Sequence, residues 1–272
     1  MKLVTCLVFV TTLLCSSVAN AAVVTVWGEA LGGFSLSTIN DFYNSLAGHS
    51  SSIAGGQLDT VDLSNTDLLW ATQPADAYTA AEITAMADFL AAGGRIAYLG
   101  EHGGFAPQQN LRINAALTAL GANISIVNNA LSCGFRTAER LTGEIVDHSL
   151  TTGVDLYQYA CFAQLNVGAG AEVLMTGDTG SDGAGIAMMA YQNIGPGSIF
   201  LITDQNVWDN AGTLWPGFDN EIMFENLLVG RTGAPPVSTA VPEPTSLALL
   251  GLGLASAAVA RRRKAQKTGR FN

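Results

Sequence analysis

Three polar side chains in the middle of the sequence lie where acid–base chemistry is often found. Glu101 and His102 belong to the glycine-rich turn 100–104, which follows one predicted strand, and Asp204 follows another. Because open α/β sheets bind ligands at the carboxyl ends of their strands, these groups could act as an acid–base pair or hold a metal ion. The simpler alternative, which we favour, is a glycine-rich loop that tolerates exposed polar residues.

A second acidic group lies in segment 176–183, where Asp178 and Asp182 partly match a calcium-binding loop. Gly180 stands where such a loop carries its middle ligand, and the twelfth position counted from Asp178 is Met189 rather than glutamate. We therefore predict a solvated hairpin turn, no cofactor and at most weak surface binding of Ca²⁺. The sequence contains no Walker loop, Gly-x-Ser-x-Gly motif or zinc-ligand spacing.

Two cysteines, Cys133 and Cys161, lie outside the N-terminal apolar segment. In an oxidising compartment the simplest interpretation is one disulfide between them, which contributes on the order of 3 kcal/mol. The alternative is a pair of free thiols, one of which could be a nucleophile. Of the remaining histidines, we expect His148 to cap or order its loop and His49 to favour the end of the preceding helix.

Basic residues are concentrated at the two ends of the chain and acidic residues in the middle. The 272-residue chain has a net charge of −10, yet residues 22–240 hold 21 of its 22 acidic residues, five arginines and no lysine, which gives −16. Phosphate recognition needs clustered Lys and Arg, so nucleic acid is excluded as a partner. With 49% hydrophobic residues the chain can build a substantial core.

The N-terminus has the three parts of a secretory signal peptide. Lys2 precedes an apolar stretch, and residues 19–21, Ala-Asn-Ala, form an A-x-A cleavage site. We predict that residues 1–21 are a signal peptide and that cleavage follows Ala21. An N-terminal strand or a membrane anchor is the alternative.

The C-terminus also has three successive parts. Pro242-Glu243-Pro244 is followed by an apolar segment within residues 245–260, and a cluster of Arg and Lys comes next. The apolar segment is just short of the ~17–25 residues of an ordinary membrane span, and the basic cluster favours the cytoplasmic side. We therefore expect residues 245–260 to hold the chain transiently in the inner membrane. The predicted parts are a linker at 232–241, a sorting segment at 242–264 and a tail at 265–272.

This end of the chain resembles the PEP-CTERM sorting signal, which combines a Pro-Glu-Pro motif, one hydrophobic helix and an arginine-rich cluster. The resemblance implies a Gram-negative bacterium with an exosortase-type enzyme that recognises and removes the tail. It further implies placement at the cell surface or in the extracellular matrix, where polysaccharide is an expected partner. An ordinary tail anchor, with the same topology but no cleavage, is the alternative.

Predicted strands and helices alternate over the first half of the domain 22–231, and strands dominate the second half. A capping box formed by Thr79 and Glu82 begins one helix. Its predicted buried face is Ile83, Met86, Phe89 and Leu90. The alternation is typical of a doubly wound, mainly parallel sheet, which later strands extend in the antiparallel direction. The predicted strands are 23–27, 67–71, 95–99, 124–127, 172–175, 185–191 and 198–203. The predicted helices are 37–47, 108–120, 219–228 and one from Thr79 to Gly93.

Three passages resemble the class I glutamine amidotransferase-like fold, a flavodoxin-like sheet with a sharp strand-to-helix elbow. They are residues 78–95, residues 147–154, and residues 195–204 with 219–226. The family's elbow carries a cysteine nucleophile in Gly-x-Cys-x-Gly, and His102 stands in its place here. The resemblance therefore implies the fold without glutaminase activity.

These observations predict an exported surface or matrix protein whose central domain is a non-enzymatic binding or structural module. The alternative is a secreted hydrolase that acts on matrix carbohydrate, with its site at the elbow Gly100–Gly104 and at Asp204. Convergence of Glu101, His102 and Asp204 in a concave pocket would favour the hydrolase, and divergence of these side chains would exclude it.

Overall fold

A seven-stranded sheet forms the centre of the part of the chain that the structure describes. The computed structural model describes residues 21–28, 35–208 and 216–228, all within the first of two units, Met1–Gly233 and Ala234–Asn272. The strands are β1 Val23–Gly28, β2 Ser50–Ile53, β3 Leu68–Thr72, β4 Arg95–Leu99, β5 Ile124–Ile126, β6 Arg136–Glu139, β7 Leu156–Tyr159, β8 Leu165–Val167, β9 Ala171–Thr176, β10 Ala187–Ile194 and β11 Gly197–Ile202. The α-helices are α1 Leu36–Ser45, α2 Ala80–Ala91, α3 Pro107–Ala119 and α4 Asn220–Glu225.

Five strands of the central sheet are parallel and lie in the order β2-β1-β3-β4-β11. Beyond β11, the strands β10 and β9 continue the sheet in the antiparallel direction. The mixed α/β architecture with a mostly parallel sheet and an antiparallel extension is thus confirmed. Among the described residues, two short ladders, β5 with β8 and β6 with β7, lie outside the central sheet.

Helices cover both faces of the sheet. Successive side chains of a strand point to opposite faces, so a single strand contributes to the core on each side. On β3, Leu68 and Trp70 join the core that includes α1 and α4, whereas Leu69 and Ala71 join the core that includes α2 and α3. A strand that is covered on both faces is expected to be apolar throughout, and every residue of β3 is buried.

The predicted capping box at the start of α2 is confirmed. The Thr79 hydroxyl accepts the Glu82 N–H at 3.2 Å, and Glu82 Oε2 accepts the Thr79 N–H at 2.8 Å. Of the predicted buried face, Met86, Phe89 and Leu90 are buried. Ile83 packs against the same core while partly exposed. The polar start and the apolar face of this helix therefore follow from the sequence alone.

The predicted strand at 124–127 forms β5, but β5 pairs antiparallel with β8 outside the central sheet. The reason is that both edges of β4 are occupied: β3 pairs with one, and β11 with the other. The sequence pattern did not predict β2, β6, β7 or β8, which are three or four residues long and carry polar or half-exposed side chains.

The described part of the chain begins beside the predicted cleavage position. Ala21 is exposed, whereas Ala22 is 3% exposed and its N–H donates to His49 Nδ1 at 3.1 Å. His49 thus holds the start of β1. The remaining residues of the predicted signal peptide, the linker 232–241, the sorting segment 242–264 and the tail 265–272 lie outside the described residues. No helix in the described part is long and apolar enough to cross a membrane.

Candidate functional site at the carboxyl edge of the sheet

The candidate site lies at the carboxyl edge of the parallel strands β3, β4 and β11. These strands end at the same level, since Leu99 lies opposite both Thr72 and Ile202. The polar side chains that follow are Gln73 after β3, Glu101 after β4 and Asp204 after β11. The geometry therefore places two of the sequence-predicted residues, Glu101 and Asp204, on neighbouring strands at one edge.

The carboxyl groups of Glu101 and Asp204 are buried and bound by backbone donors. Glu101 Oε1 accepts the N–H of His102 at 2.6 Å, and Glu101 Oε2 accepts the N–H of Gln205 at 2.9 Å. Asp204 Oδ2 accepts the N–H of Ala160 at 2.6 Å and its Oδ1 accepts an N–H two residues further along the chain at 2.8 Å. Each acidic residue is only 1% exposed. Both acids are therefore built into the fold rather than presented to solvent.

Protonation distinguishes the two acids. Burial, and next the charge of Asp204, raise the pKa of Glu101 to about 9. Glu101 consequently keeps its proton at neutral pH, and we assign the negative charge of the pair to Asp204. Burial lowers the pKa of His102, so its imidazole is neutral at pH 7. His102 Nε2 lies 3.8 Å from Glu101 Oε1, and 24% of the imidazole side chain is exposed.

Two backbone donors of the elbow turn after β4 are already in use. The N–H of His102 donates to the Glu101 carboxyl group, and the N–H of Gly103 donates to the Asn129 carbonyl at 2.7 Å. A Cβ at Gly103 would lie 2.4 Å from the Asn128 carbonyl carbon, so only glycine permits this approach. An oxyanion hole requires backbone N–H groups that are free to bind substrate. These two N–H groups are not free.

Asn110 on α3 fixes the elbow from behind. Its Oδ1 accepts the Glu101 N–H at 3.1 Å, and its Nδ2 donates to the Glu101 carbonyl at 2.5 Å and to Asn128 Oδ1 at 2.9 Å. Asn110 itself is fully buried. This amide therefore holds the backbone of Glu101 in place, a role that the sequence pattern did not reveal.

Gln73 and Gln205 were not predicted as site residues. Gln73 is fully buried, has a left-handed backbone with φ 25°, and donates from Nε2 to Gln205 Oε1 at 2.8 Å. Gln205 begins a 3₁₀ turn at Gln205–Trp208, directly after Asp204. The signal that points to both residues is their position just beyond a predicted strand, the same signal that pointed to Glu101 and Asp204.

The acidic loop around Asp178 and Asp182 connects β9 to β10, which are antiparallel neighbours. Asp178 Oδ1 accepts the Tyr159 hydroxyl at 2.7 Å, and its Oδ2 lies 3.4 Å from an Arg136 guanidinium nitrogen. Asp182 Oδ1 accepts the Ser132 N–H at 2.6 Å. The two carboxylates thus bind protein partners in a hairpin connection. In the described ranges, no group of three His, Cys, Asp or Glu side chains is arranged to hold a metal ion.

A disulfide joins Cys133 to Cys161, with 4.0 Å between the Cα atoms. Beside it, Leu131 and Phe162 exchange two backbone hydrogen bonds, at 2.9 and 3.1 Å. Ala160, the residue before Cys161, donates its N–H to Asp204. The disulfide therefore ties the segment that covers Asp204 to the loop after β5.

His148 orders its own loop, as the sequence predicts. Its Nδ1 accepts the Leu150 N–H at 3.1 Å and so caps the 3₁₀ turn Ser149–Thr151. The Thr151 hydroxyl accepts the His148 N–H at 3.1 Å in return. These bonds explain His148 as a local structural residue.

A shallow cleft of about 380 Å³ lies elsewhere on the described surface. It is lined by Glu139, Arg140, Leu141, Asp155 and Leu156. The guanidinium of Arg140 is bound to the protein, since its Nε donates to the Val154 carbonyl at 2.9 Å and lies 3.3 Å from Asp155 Oδ1. The cleft therefore presents no free cation to a ligand, and its residues are distinct from those of the carboxyl edge.

Comparison with known families identifies the C-terminal segment. Residues 240–264 match the PEP-CTERM protein-sorting motif. The chain therefore carries this motif, as the resemblance of residues 242–264 predicted, and the motif supports an exported protein that an exosortase sorts. The match lies within the second unit of the chain. No curated protein matches the sequence.

Several solved structures share the fold of the described domain. The mmIFT52 N-terminal domain is 15% identical, with a TM-score of 0.61, and the match covers 77% of this chain and 98% of that one. The cytoplasmic protein STM1381 from Salmonella typhimurium LT2 is 13% identical, with a TM-score of 0.53 and coverage of 76% and 98%. The β-galactosidase from Bacillus circulans sp. alkalophilus is 13% identical, with a TM-score of 0.50 and coverage of 77% and 31%. At these identities the likeness concerns the fold alone.

Proposed function

We propose that this chain is an exported protein of a Gram-negative bacterium that an exosortase-type enzyme processes and that ends at the cell surface or in the extracellular matrix. The observation that carries the proposal is the PEP-CTERM motif at residues 240–264. The predicted signal peptide 1–21 supplies export, and residues 245–260 supply a transient hold in the inner membrane. We expect extracellular polysaccharide to surround the exported protein and to be its binding partner.

In this proposal the domain 22–231 is a non-enzymatic binding or structural module with a flavodoxin-like, glutamine amidotransferase-like fold. The strand order β2-β1-β3-β4-β11, all parallel, supports that fold, because it is the order of a doubly wound sheet with one switch point. The occupied N–H groups of His102 and Gly103 support the absence of acyl-transfer chemistry. Calcium enters only as a weak counter-ion of the acidic surface.

Delivery to the cell surface is tested by substituting the Pro-Glu-Pro motif and measuring whether the C-terminal tail is removed. Substitution of Pro242, Glu243 and Pro244 by Ala should leave the tail attached and the protein in the membrane fraction of exosortase-bearing cells. Substitution of Pro235 and Pro236 by Ala, just upstream of the matched residues, is the control and should leave processing intact. Processing of the motif variant at the wild-type rate would refute the proposal.

A hydrolase acting on matrix carbohydrate is the second candidate, and one observation favours it. Glu101 and Asp204 converge with His102 nearby, and the raised pKa of Glu101 beside an ionised acid is the arrangement of a general acid with its partner. Release of reducing sugar from the host's own polysaccharide, lost in both Glu101→Gln and Asp204→Asn, would establish this candidate. Absence of release from the wild-type protein would remove it.

A further inference from the structure

Unpartnered polar atoms are concentrated around the Glu101–Asp204 pair. Among the described residues, seven buried side-chain polar atoms have no hydrogen-bond partner. Four of them lie close to this pair along the chain or through direct contacts: Gln73 Oε1, His102 Nδ1, Tyr157 Oη and Trp208 Nε1. We call these four residues, together with Glu101, Asp204 and Gln205, the polar edge cluster.

Hydrogen bonds, a shared aromatic neighbour and chain adjacency relate the members of the polar edge cluster. Gln73 donates to Gln205 Oε1 at 2.8 Å, and the Gln205 N–H donates to Glu101 Oε2 at 2.9 Å. Tyr157 and Trp208 both pack on Phe224, with ring centroids 6.4 and 4.2 Å apart respectively. Trp208 ends the same 3₁₀ turn that Gln205 begins. The residues that carry the unpartnered atoms are thus linked by hydrogen bonds, by ring contacts or by adjacency in the chain.

Leaving these atoms unpartnered is energetically costly. A buried polar atom without a hydrogen bond costs about 1–3 kcal/mol. Gln73 adds the strain of a left-handed backbone at φ 25°, which a residue other than glycine seldom adopts. Strain and unpaired polar atoms persist where a function uses them. Their coincidence at the carboxyl edge, where open α/β sheets bind ligands, points to a missing partner.

We propose that the polar edge cluster binds a neutral, hydroxyl-rich molecule, of the class of a sugar unit. A hydroxyl both donates and accepts, so it can pair with the Gln73 acceptor and with the Tyr157 and Trp208 donors. The inference rests on the proposed function, because it gives the binding module its ligand class. Under this inference the carboxyl edge of the sheet binds the sugar without hydrolysing it.

The charge state of the cluster favours a neutral ligand. Burial, and secondarily the charge of Asp204, raise the pKa of Tyr157, so its hydroxyl remains a donor. Glu101 keeps its proton and His102 is neutral, as described above. The two oxygens of Asp204 already accept backbone N–H groups from Ala160 and Asn206. The unpartnered atoms are thus all on uncharged groups.

An aromatic ring lies at the exposed side of the cluster. The ring of Phe105 is centred 6.1 Å from that of His102, and Phe105 is 44% exposed. Aromatic rings that carry polar groups beside them suit ligands with an apolar face and a polar rim, as a sugar ring has. His102, with 24% of its side chain exposed, and Phe105 are therefore the aromatic groups of this edge that a molecule can contact from solvent.

The test uses the indole N–H of Trp208 as a probe in the ¹⁵N-labelled mature protein. Trp27 and Trp70 donate their indole N–H groups to Gly56 O and Tyr43 Oη, whereas that of Trp208 has no partner. Titration with D-glucose, D-galactose and D-mannose should shift the Trp208 signal, assigned with Trp208→Phe, in a saturable way for at least one sugar. Acetate and ammonium should leave the signal in place.

Two tyrosine variants make the test specific. Tyr157→Phe removes one hydroxyl from the cluster and should weaken binding about tenfold, whereas Tyr78→Phe removes a buried unpartnered hydroxyl elsewhere and should not. If Tyr157→Phe does not fold, Gln73→Met replaces it as the weakened variant. No shift with any of the three sugars, an equal loss in both tyrosine variants, or a bound water as sole occupant would overturn the inference. Surface delivery of the same protein would then still support the proposed function.

Discussion

At the scale of residues, the main feature is a pair of buried acids that differ in protonation. Glu101 and Asp204 are each 1% exposed, and all four carboxyl oxygens accept backbone N–H groups. Burial and the neighbouring charge hold the proton on Glu101. The pair therefore carries one negative charge rather than two, which costs less free energy in a medium of low dielectric constant.

This pairing predicts that stability falls as pH rises. The folded pKa of Glu101, about 9, lies above its ordinary value of 4.5, so the native state binds a proton that the unfolded state releases between those pH values. The contribution to the free energy of unfolding is complete below about pH 4.5 and is lost up to about pH 9, with a limiting slope of about 1.4 kcal/mol per pH unit. Urea unfolding across this range measures the slope.

Glu101→Gln should flatten that slope, because the side chain at position 101 can no longer lose a proton. The matched control is Glu144→Gln. Glu144 is 4% exposed, and its carboxylate also accepts two backbone N–H groups, from Glu139 at 2.8 Å and from Thr179 at 2.6 Å. Both variants lose one acceptor, so a difference between their pH profiles isolates the pairing with Asp204. Equal slopes in the two variants would contradict the assigned proton.

The sequence predicted the acids of this site but not their neighbours. Glu101 and Asp204 stand out because a polar residue follows an apolar strand, a local pattern. In the sequence, Tyr157 and Trp208 are indistinguishable from ordinary aromatic core residues. Their polar atoms become relevant to the site only when β7 and the turn after β11 pack together. The strained backbone of Gln73 likewise depends on tertiary packing, which no local pattern records.

At the scale of elements, the disulfide closes one side of the carboxyl edge. It joins the loop after β5 to the segment before β8, and that segment makes two hydrogen bonds to the residues directly after β11. The Ala160 N–H donates to Asp204 Oδ2 at 2.6 Å, and the Thr203 hydroxyl donates to the Ala163 carbonyl at 2.6 Å. The crosslink therefore stabilises the cover of the buried acids as well as the chain as a whole.

Replacing Cys133 and Cys161 by Ser should lower the free energy of unfolding by about 3 kcal/mol, because the closed loop spans 28 residues. Urea unfolding of the oxidised wild-type protein and of the double variant measures the difference. Reduction of the wild-type protein with dithiothreitol serves as the control and should reproduce the loss. Unchanged stability in both cases would show that the crosslink is dispensable.

The capping box of α2 gives a second prediction about an element. Thr79→Ala should cost about 1 kcal/mol, the usual effect of losing an N-cap. Glu82→Ala should cost more, about 2–3 kcal/mol, because Glu82 Oε1 also accepts the buried Leu58 N–H at 3.0 Å. Thr84→Ala, an exposed change in the same helix, is the control and should have little effect in urea unfolding. Equal losses for all three would contradict the stabilising role of the cap, because helix propensity alone favours Ala over Thr at position 84.

Elements with local signals were predicted, and those that depend on distant pairing were not. The helix α2 carries its cap and its apolar face in consecutive residues, so its start and buried side follow from the sequence. By contrast, β6 and β7 are four residues each, and their pairing is set by partners some twenty positions apart. The predicted placement of β5 in the central sheet was wrong for the same reason, since β3 and β11 occupy the two edges of β4.

At the scale of the whole molecule, charge divides the chain into an acidic middle and two basic ends. The middle, residues 22–240, carries −16 and no lysine, while seven of the twelve basic residues lie in the two ends of the chain. An acidic domain of this kind remains soluble among cations and polysaccharide and repels nucleic acid. Export to the cell surface and a binding module for hydroxyl-rich ligands are consistent with that charge.

The most direct test of the account is the intact mass of the mature protein, purified from cells with and without the exosortase. With the enzyme, we expect a chain that begins at Ala22 and lacks the C-terminal segment from the Pro-Glu-Pro motif onward. Without the enzyme, the same N-terminus should be found with the C-terminal segment retained. A mass that includes residues 245–272 in exosortase-bearing cells would contradict the central claim that this chain is a processed, exported surface protein.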